Sequence, residues 1–284
     1  MKGRAHEIPN HCITGRAQEP RAPVMQNARQ QNMPASGSSG QVNAAQFSTS
    51  ADDVFGRIAS RYDLLCDLFS FWIHRHWKRR VASLVASEPW HELLDAASGT
   101  GDIVLRVLNR QPGSASRHIV ASDISPQMLA IAKRRLEVKG QGVELRELDA
   151  QSMPSVPAQS VDLYSISLGL KICNRQAVLR EALRVLKPGG RLIVLEASNI
   201  PLRWLHRAYL LYMAVCMPVI GWLATGGDAS AYRYLLQGIR EFPTAEALAE
   251  EIHQVGFVGV SFERLSLGIV AIHVARKANE TADV

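Results

Sequence analysis

The stretch Leu93-Leu94-Asp95-Ala96-Ala97-Ser98-Gly99-Thr100-Gly101-Asp102 decides the fold. An apolar run ends in an acid, passes two glycines one residue apart, and opens into the helix-periodic segment 102–110. That order reads as strand, tight turn, helix. Gly99 and Gly101 let the backbone turn sharply and approach a ligand where a Cβ would clash. Three details narrow the ligand. A dinucleotide fingerprint wants a third small residue at position 104, and Val104 stands there. Asp102 would begin the helix where a pyrophosphate otherwise binds, and a carboxylate repels phosphate. Asp95 adds a second acid at the strand end. The turn therefore suits a cofactor with no phosphate and a cationic centre.

Working outward, apolar runs fit for buried parallel strands recur at 92–97, 119–123, 143–148, 161–167 and 192–196. Helical patterns separate them at 102–110, 126–139 and 175–186, and Pro188-Gly189-Gly190 ends the last and turns the chain into the next strand. Residues 244–255 read as a helix with Thr244 as N-cap, followed by β-like runs at 258–265 and 269–275. The alternation predicts a Rossmann-like α/β domain. Its doubly wound, mostly parallel seven-stranded sheet carries an antiparallel C-terminal hairpin.

The second and third strands also end in acids, Asp123 and Asp149. Asp123 lies about twenty residues beyond Gly101, where an acid can accept both ribose hydroxyls. Asp149, followed by Ala150, can pair with an adenine amino group. Capping the helices that follow is the plainer role for either acid alone. As an ordered set they converge on the carboxyl edge of the sheet, where such folds bind ligands.

Composition bounds the remainder. The 284 residues, 47% hydrophobic, suffice for one sizeable domain with appendages. A net charge of +6, with basic residues scattered among acids and no basic–aromatic platform, argues against nucleic acid and leaves room for an anionic membrane surface. Cys12, Cys66, Cys173 and Cys216 form no C-x-x-C pair, so neither a disulfide framework nor a metal site is expected. Residues 1–50 are rich in Gln, Asn, Ser, Pro and Gly and read as a disordered extension; residues 281–284 read as a tail.

With these residues assembled, the chain resembles the ubiquinone/menaquinone biosynthesis C-methyltransferase family over about residues 54–277. The likeness rests on Tyr62-Asp63-Leu64-Leu65, Ile73-His74-Arg75-His76-Trp77-Lys78, the glycine turn, Ser167-Leu168-Gly169-Leu170, Lys187-Pro188-Gly189-Gly190, Tyr232-Arg233-Tyr234-Leu235 and Gly268-Ile269-Val270-Ala271. The resemblance implies a methyltransferase domain at 51–280, with an N-terminal helical lid at 54–88 and a hydrophobic lid insertion at 200–242. It implies methyl transfer from S-adenosyl-L-methionine to a ring carbon of a polyprenylated benzoquinol or naphthoquinol. The cofactor set it implies is Asp95, Ala97, Gly99, Thr100, Gly101, Asp102, Asp123, Ile124, Met128, Asp149, Ala150 and Ser167. Tyr62, Lys171, Asn174 and Tyr232 are the implied catalytic candidates. It implies a cytoplasmic protein, with peripheral contact at the inner membrane surface and a homodimer or quinone-biosynthesis assembly left open.

The chain departs from the family after Gly169-Leu170. Where members continue Arg-Asn-Val-Thr/Asp, this chain reads Lys171-Ile172-Cys173-Asn174 and is one residue shorter. Lys171 keeps the charge and loses the planar fork of Arg. Gln237-Gly238 replaces the usual Glu-Ser. These changes fall near the acceptor, so a terpenoid or other secondary-metabolite acceptor, or a non-catalytic assembly subunit, stands as the alternative. His74 and His76, with Arg75, Lys78, Arg79 and Arg80, read as a solvated basic face. Glu196 reads as structural and His273 as a satisfied strand histidine. The uncharged stretch 208–225 reads as a lid over an apolar acceptor, because Pro218 and Gly221 interrupt it as a membrane span.

Overall fold

Leu93 and Leu94, side by side in one strand, pack into two different hydrophobic clusters, and this division describes the whole domain. The computed structural model describes residues 62–111, 117–137, 143–225 and 230–279. The extension read at 1–50 and the tail at 281–284 lie outside them.

Two helices lead in, α1 (Tyr62–Ser70) and α2 (Ile73–Val85). Next come β1 (Glu92–Ala96), α3 (Asp102–Arg110), β2 (His118–Asp123), α4 (Pro126–Leu136), β3 (Val143–Glu147), β4 (Val161–Ser167), α5 (Arg175–Val185) and β5 (Leu186–Ala197). Helices α6 (Arg203–Thr225) and α7 (Ser230–Glu241) are inserted before α8 (Ala245–Val255), β6 (Phe257–Leu265) and β7 (Val270–Lys277). The sheet order is β3-β2-β1-β4-β5-β7-β6, with parallel pairing up to β5 and antiparallel pairing through β7 and β6.

Strand periodicity of two puts alternate side chains on opposite faces. Leu94, Tyr164, Ile166, Leu192 and Val194 pack with Val178, Leu179 and Ala182 of α5 and Leu248 and Ile252 of α8. Leu93, Leu163, Ile193 and Leu195 pack instead with Val81, Ala82 and Val85 of α2, Ile103, Val104 and Val107 of α3, and Ala132 and Leu136 of α4. Covering both faces explains why the central strands read as continuous apolar runs. Each such side chain contributes roughly 1.5–3 kcal/mol by leaving water.

Strand β5 begins earlier than the sequence pattern suggested. Leu186 already pairs with Val161, ahead of Pro188-Gly189-Gly190, and the register shifts before Leu163 pairs with Arg191. The Lys187–Gly190 segment is thus an irregular strand start and not a turn into the strand. Gly190 is needed there: a Cβ would lie 2.7 Å from the Lys187 carbonyl oxygen. Thr244 does cap α8, accepting from the Ala247 N–H at 3.2 Å. His273 is buried and donates through Nε2–H to the Ala245 carbonyl at 2.8 Å.

Helix α2 packs its apolar face into the domain core. Its basic side chains also divide: Arg75, His76, Arg79 and Arg80 are exposed, whereas His74 and Lys78 are buried. The His74 ring hydrogen-bonds the Ser70 hydroxyl at 2.8 Å, and burial, reinforced by Lys78, lowers its pKa to about 4, so it is neutral at physiological pH. Lys78 Nζ sits 3.0 Å from Asp102 Oδ2 at the first turn of α3. Arg106 and Arg135 approach the same carboxylate at 3.3 and 3.5 Å. Burial works against that charge, yet Lys78, Arg106 and Arg135 together hold the Asp102 carboxyl below its usual range.

Removing one member of a buried ion pair leaves an uncompensated charge and typically costs about 3–5 kcal/mol. With Arg106 and Arg135 remaining, Lys78→Met should lower the unfolding free energy by about 3 kcal/mol in denaturant titrations. Lys78→Met combined with Asp102→Asn should recover part of that loss. Equal stability of Lys78→Met and the parent would remove the clamp from the account of α2.

Candidate cofactor and acceptor site

The strand order reverses between β1 and β4, so the loops that leave these neighbours diverge and open a crevice at their carboxyl ends. Both loops use strained backbone there. Ala97, Gly99 and Gly101 have φ of 48°, 57° and 75°, and Leu168 has φ of 60°. The loops touch: a Cβ on Gly169 would lie 2.7 Å from the Ala97 Cβ. Around the place of a Gly99 Cβ there is no atom within 4 Å, which leaves open space above the turn.

Asp123 fastens the turn to the second strand. Its Oδ2 accepts from the Gly99 N–H at 2.8 Å and its Oδ1 from the Ser125 N–H at 2.9 Å. The Ser98 N–H donates to the Ser122 carbonyl at 2.8 Å beside it. Helix α4 is capped by Ser125, whose hydroxyl accepts from the Met128 N–H, so Asp123 is not its cap. Asp149 similarly holds its own loop, accepting from the Gln151 N–H at 2.9 Å. The Gln151 side-chain amide also donates to Asp149 Oδ1 and Oδ2 at 3.2 and 3.3 Å.

Asp95 is the buried acid of the set, 1% exposed. Ser165 donates to its Oδ1 at 2.5 Å. The buried hydroxyl of Ser167 has no hydrogen-bond partner among the described residues. Burial pushes the Asp95 carboxyl up to about 6, against the opposing pull of the Ser165 and Ser98 hydroxyls. Asp102 behaves differently from the sequence expectation. Its carboxylate is enclosed by Lys78, Arg106 and Arg135, so most of its charge is compensated before any cationic ligand arrives. Arg135 also donates to the Thr100 hydroxyl at 2.7 Å and the Thr100 carbonyl at 3.2 Å, fixing the turn from behind. Gly101, Ile124, Met128 and Ala150 complete the expected set: Gly101 precedes α3, Ile124 and Met128 follow β2, and Ala150 follows Asp149. Met128 and Ala150 are buried and apolar.

These residues fit S-adenosylmethionine. The buried Asp95 carboxylate, the Ser167 hydroxyl without a partner among the described residues, open space over Gly99 and apolar side chains beside the strand ends match an adenosyl group carrying a sulfonium.

The acceptor candidates divide. Lys171 sits in a short 3-10 turn (Leu170–Ile172), and its ammonium, buried, reaches Glu196 Oε1 at 3.2 Å and the Leu168 carbonyl. Its backbone N–H donates to Glu196 Oε2 at 3.0 Å. Glu196, fully buried at the end of β5, therefore anchors both ends of Lys171. The structural reading of Glu196 accords with this, while its partner Lys171, 25 residues earlier, was not evident from the sequence. Asn174 is exposed and caps α5, its Oδ1 accepting from the Ala177 N–H at 3.1 Å. A Cβ placed on Gly238 of α7 would lie 3.4 Å from the Lys171 carbonyl oxygen, so α7 passes beside Lys171. Tyr62 and Tyr232 fall on α1 and α7, and their side chains lie outside the described residues.

Two solved structures share the architecture. A SAM-dependent methyltransferase from Thermotoga maritima matches with a TM-score of 0.56 at 16% identity, covering 80% of this chain and 99% of that one. The CurJ carbon methyltransferase matches with a TM-score of 0.56 at 14% identity, covering 84% and 72%. At such identities the likeness is one of fold. Sequence carries the family. The chain is 40% identical over 223 residues to the ubiquinone/menaquinone biosynthesis C-methyltransferase UbiE of Cereibacter sphaeroides, covering 78% of this chain and 87% of that protein. It is 39% identical over 241 residues to the protein of the same name from Bartonella henselae, covering 83% and 91%. The profile of the ubiE/COQ5 methyltransferase family matches residues 43–277, and the chain belongs to that family.

Proposed function

We propose that this chain is an S-adenosylmethionine-dependent C-methyltransferase of ubiquinone/menaquinone biosynthesis, acting on a ring carbon of a polyprenylated benzoquinol or naphthoquinol. The observation that carries the reading is the contact of the Lys171 loop with the cofactor turn. Gly169 abuts Ala97, Glu196 anchors Lys171, and α7 passes beside Lys171 at Gly238. The relatives' common name supplies the acceptor class.

S-adenosylmethionine supplies an already activated methyl group, so the protein's task is alignment and activation of the carbon nucleophile. Asp123 would accept from the ribose hydroxyls and Asp149 from the adenine amino group. Asp95 Oδ2, Ser98 and Ser167 would meet the methionyl end, with Ala97, Gly99, Thr100, Ile124, Met128 and Ala150 shaping the walls. An ammonium has three N–H donors. Glu196 and Leu168 take two on Lys171, and we assign the third to the acceptor's phenolic oxygen. A cation held there favours the phenolate, which feeds electron density into the ring. Tyr62, Asn174 and Tyr232 remain acceptor-side candidates from the resemblance. The same reading places the chain in the cytoplasm, in peripheral contact with the membrane that holds its acceptor.

A methyl-transfer assay with labelled cofactor tests the proposal, using demethyl-quinols beside terpenoid acceptors. Demethyl-quinol turnover is expected, and Asp123→Ala should weaken cofactor binding by roughly 10–100-fold, the value of lost charge-assisted hydrogen bonds. Cofactor binding with turnover of terpenoids alone would reject the quinol acceptor. A chain that binds cofactor and turns over nothing would point to an assembly subunit.

Asp95 gives a second test. Its folded-state pKa lies above the ordinary carboxylate value, so the ionised form costs folding free energy, and that cost develops as pH rises from about 4 through 6. A cationic ligand beside it favours ionisation and releases a proton. Cofactor affinity should therefore rise about tenfold between pH 5 and pH 7, following the ionised fraction of a group with a pKa near 6. Calorimetry should show a flatter profile for S-adenosylhomocysteine, whose sulfur is neutral, and for the cofactor with Asp95→Asn. Identical slopes for both ligands would detach Asp95 from the sulfonium.

A further inference from the structure

Among the described residues, one face of helix α6 is uncovered. At about 100° per residue, Trp204, Leu211, Val215, Val219 and Trp222 fall within roughly 80° of one another. All five are more than half exposed, Trp204 and Leu211 to about two thirds. The opposite face is inward: Met213 is buried, and burial pushes the Tyr209 phenol up to about 12. At 1.5 Å per residue the stripe runs for about 27 Å. The elbow between α1 and α2 adds to it. Phe71 lies against Tyr212 of α6, with ring centroids 6.2 Å apart, and Phe71, Trp72 and Ile73 are all exposed. Phe71 and Trp72 hold φ of 47° and 63°, strained values for aromatic residues, and the conformation leaves both rings in water.

Charge indicates what covers this face. Helices α2 and α6 contain no Asp or Glu. Arg203 and Arg207 stand at the entry to the stripe, and Arg75 and His76 follow Trp72 within one turn. Arg75 is paired with Asp67, while the chain as a whole carries +6. An in-plane helix with tryptophan and aliphatic residues on one face and arginines at its margin is complementary to an anionic bilayer surface. A twofold contact between copies would give Arg203 and Arg207 no acidic partner on the facing stripe, because α6 contains none. Among the described residues, no helix is long and apolar enough to cross a membrane, so the contact is one of lying on the surface.

We propose that the α6 stripe and the Phe71–Trp72 elbow dock the chain onto anionic lipid. This rests on the quinol reading only in giving a polyprenyl acceptor a route from the bilayer to the site beneath α7. Flotation of the full chain tests it directly, with phosphatidylcholine vesicles with and without phosphatidylglycerol and no acceptor added. The chain should float with phosphatidylglycerol vesicles, and less so at high salt. Trp204→Ser with Trp222→Ser should cut the bound fraction about tenfold, a loss of about 1.4 kcal/mol. Arg203→Glu with Arg207→Glu should abolish the preference for phosphatidylglycerol. Thermal melts confirm that both variants are folded.

Flotation unaffected by either pair would overturn the proposal. So would failure of the parent chain to float, and sedimentation velocity would then show whether the tryptophan pair disrupts a dimer, assigning the face to a second copy. Because flotation involves no methyl transfer, its failure is distinct from failure to methylate a detergent-dispersed demethyl-quinol.

Discussion

The Asp123 carboxylate is the constraint on which the cofactor site depends. Two backbone N–H groups from different loops, Gly99 and Ser125, converge on its two oxygens. The first fixes the turn that leaves β1, and the second fixes the start of α4. Without that acceptor, the Gly99 N–H would need another partner and the left-handed turn would lose its tie to β2. Asp123 ends β2, and two N–H donors meeting there suit a carboxylate better than a neutral cap.

The other two acids near the turn divide their work by environment. Asp102 lies among Lys78, Arg106 and Arg135, and its charge serves to clamp α2 and α4 onto the first turn of α3. Among the described residues Asp95 forms no salt bridge, and Lys78 pulls on it only weakly beside the effect of burial. It keeps one oxygen on Ser165, in surroundings that resist its ionisation. A buried acid so poised gains most from a cation arriving beside it. The pattern of acids was visible in sequence; the compensation of Asp102 by Lys78 and Arg135, 24 and 33 positions away, was not.

Elements whose cause is local were legible. The strands announced themselves because both faces of the sheet are covered, and Thr244 announced α8 because an N-cap acts within three residues. Features set by distant partners were hidden. Strand β5 starts at Leu186 because Val161 is there to pair with it, which no reading of Pro188-Gly189-Gly190 could supply. The elbow at Phe71–Trp72 carries no Gly or Asn to mark its positive φ. His74 and Lys78 looked like members of a basic surface because their spacing suits a helix face; only the fold shows that this face meets α3. The acceptor side was least legible, since Lys171 depends on Glu196, 25 residues later.

That dependence also bears on the shortened loop after Gly169-Leu170. A deletion of one residue beside an acceptor would ordinarily let the cationic side chain drift, because Lys is a flexible stem without the planar fork of Arg. Here the stem is held at both ends: Glu196 receives the Lys171 N–H and its ammonium, and the Leu168 carbonyl receives the ammonium as well. The 3-10 turn carries only three residues before Asn174 caps α5, so the chain has no slack in which to rearrange. The anchoring recovers, through a buried carboxylate, the rigidity that the guanidinium would have brought. The shorter loop is then compatible with a positioned cation at the acceptor, and the departure from the family pattern falls on how that cation is held rather than on whether it is present.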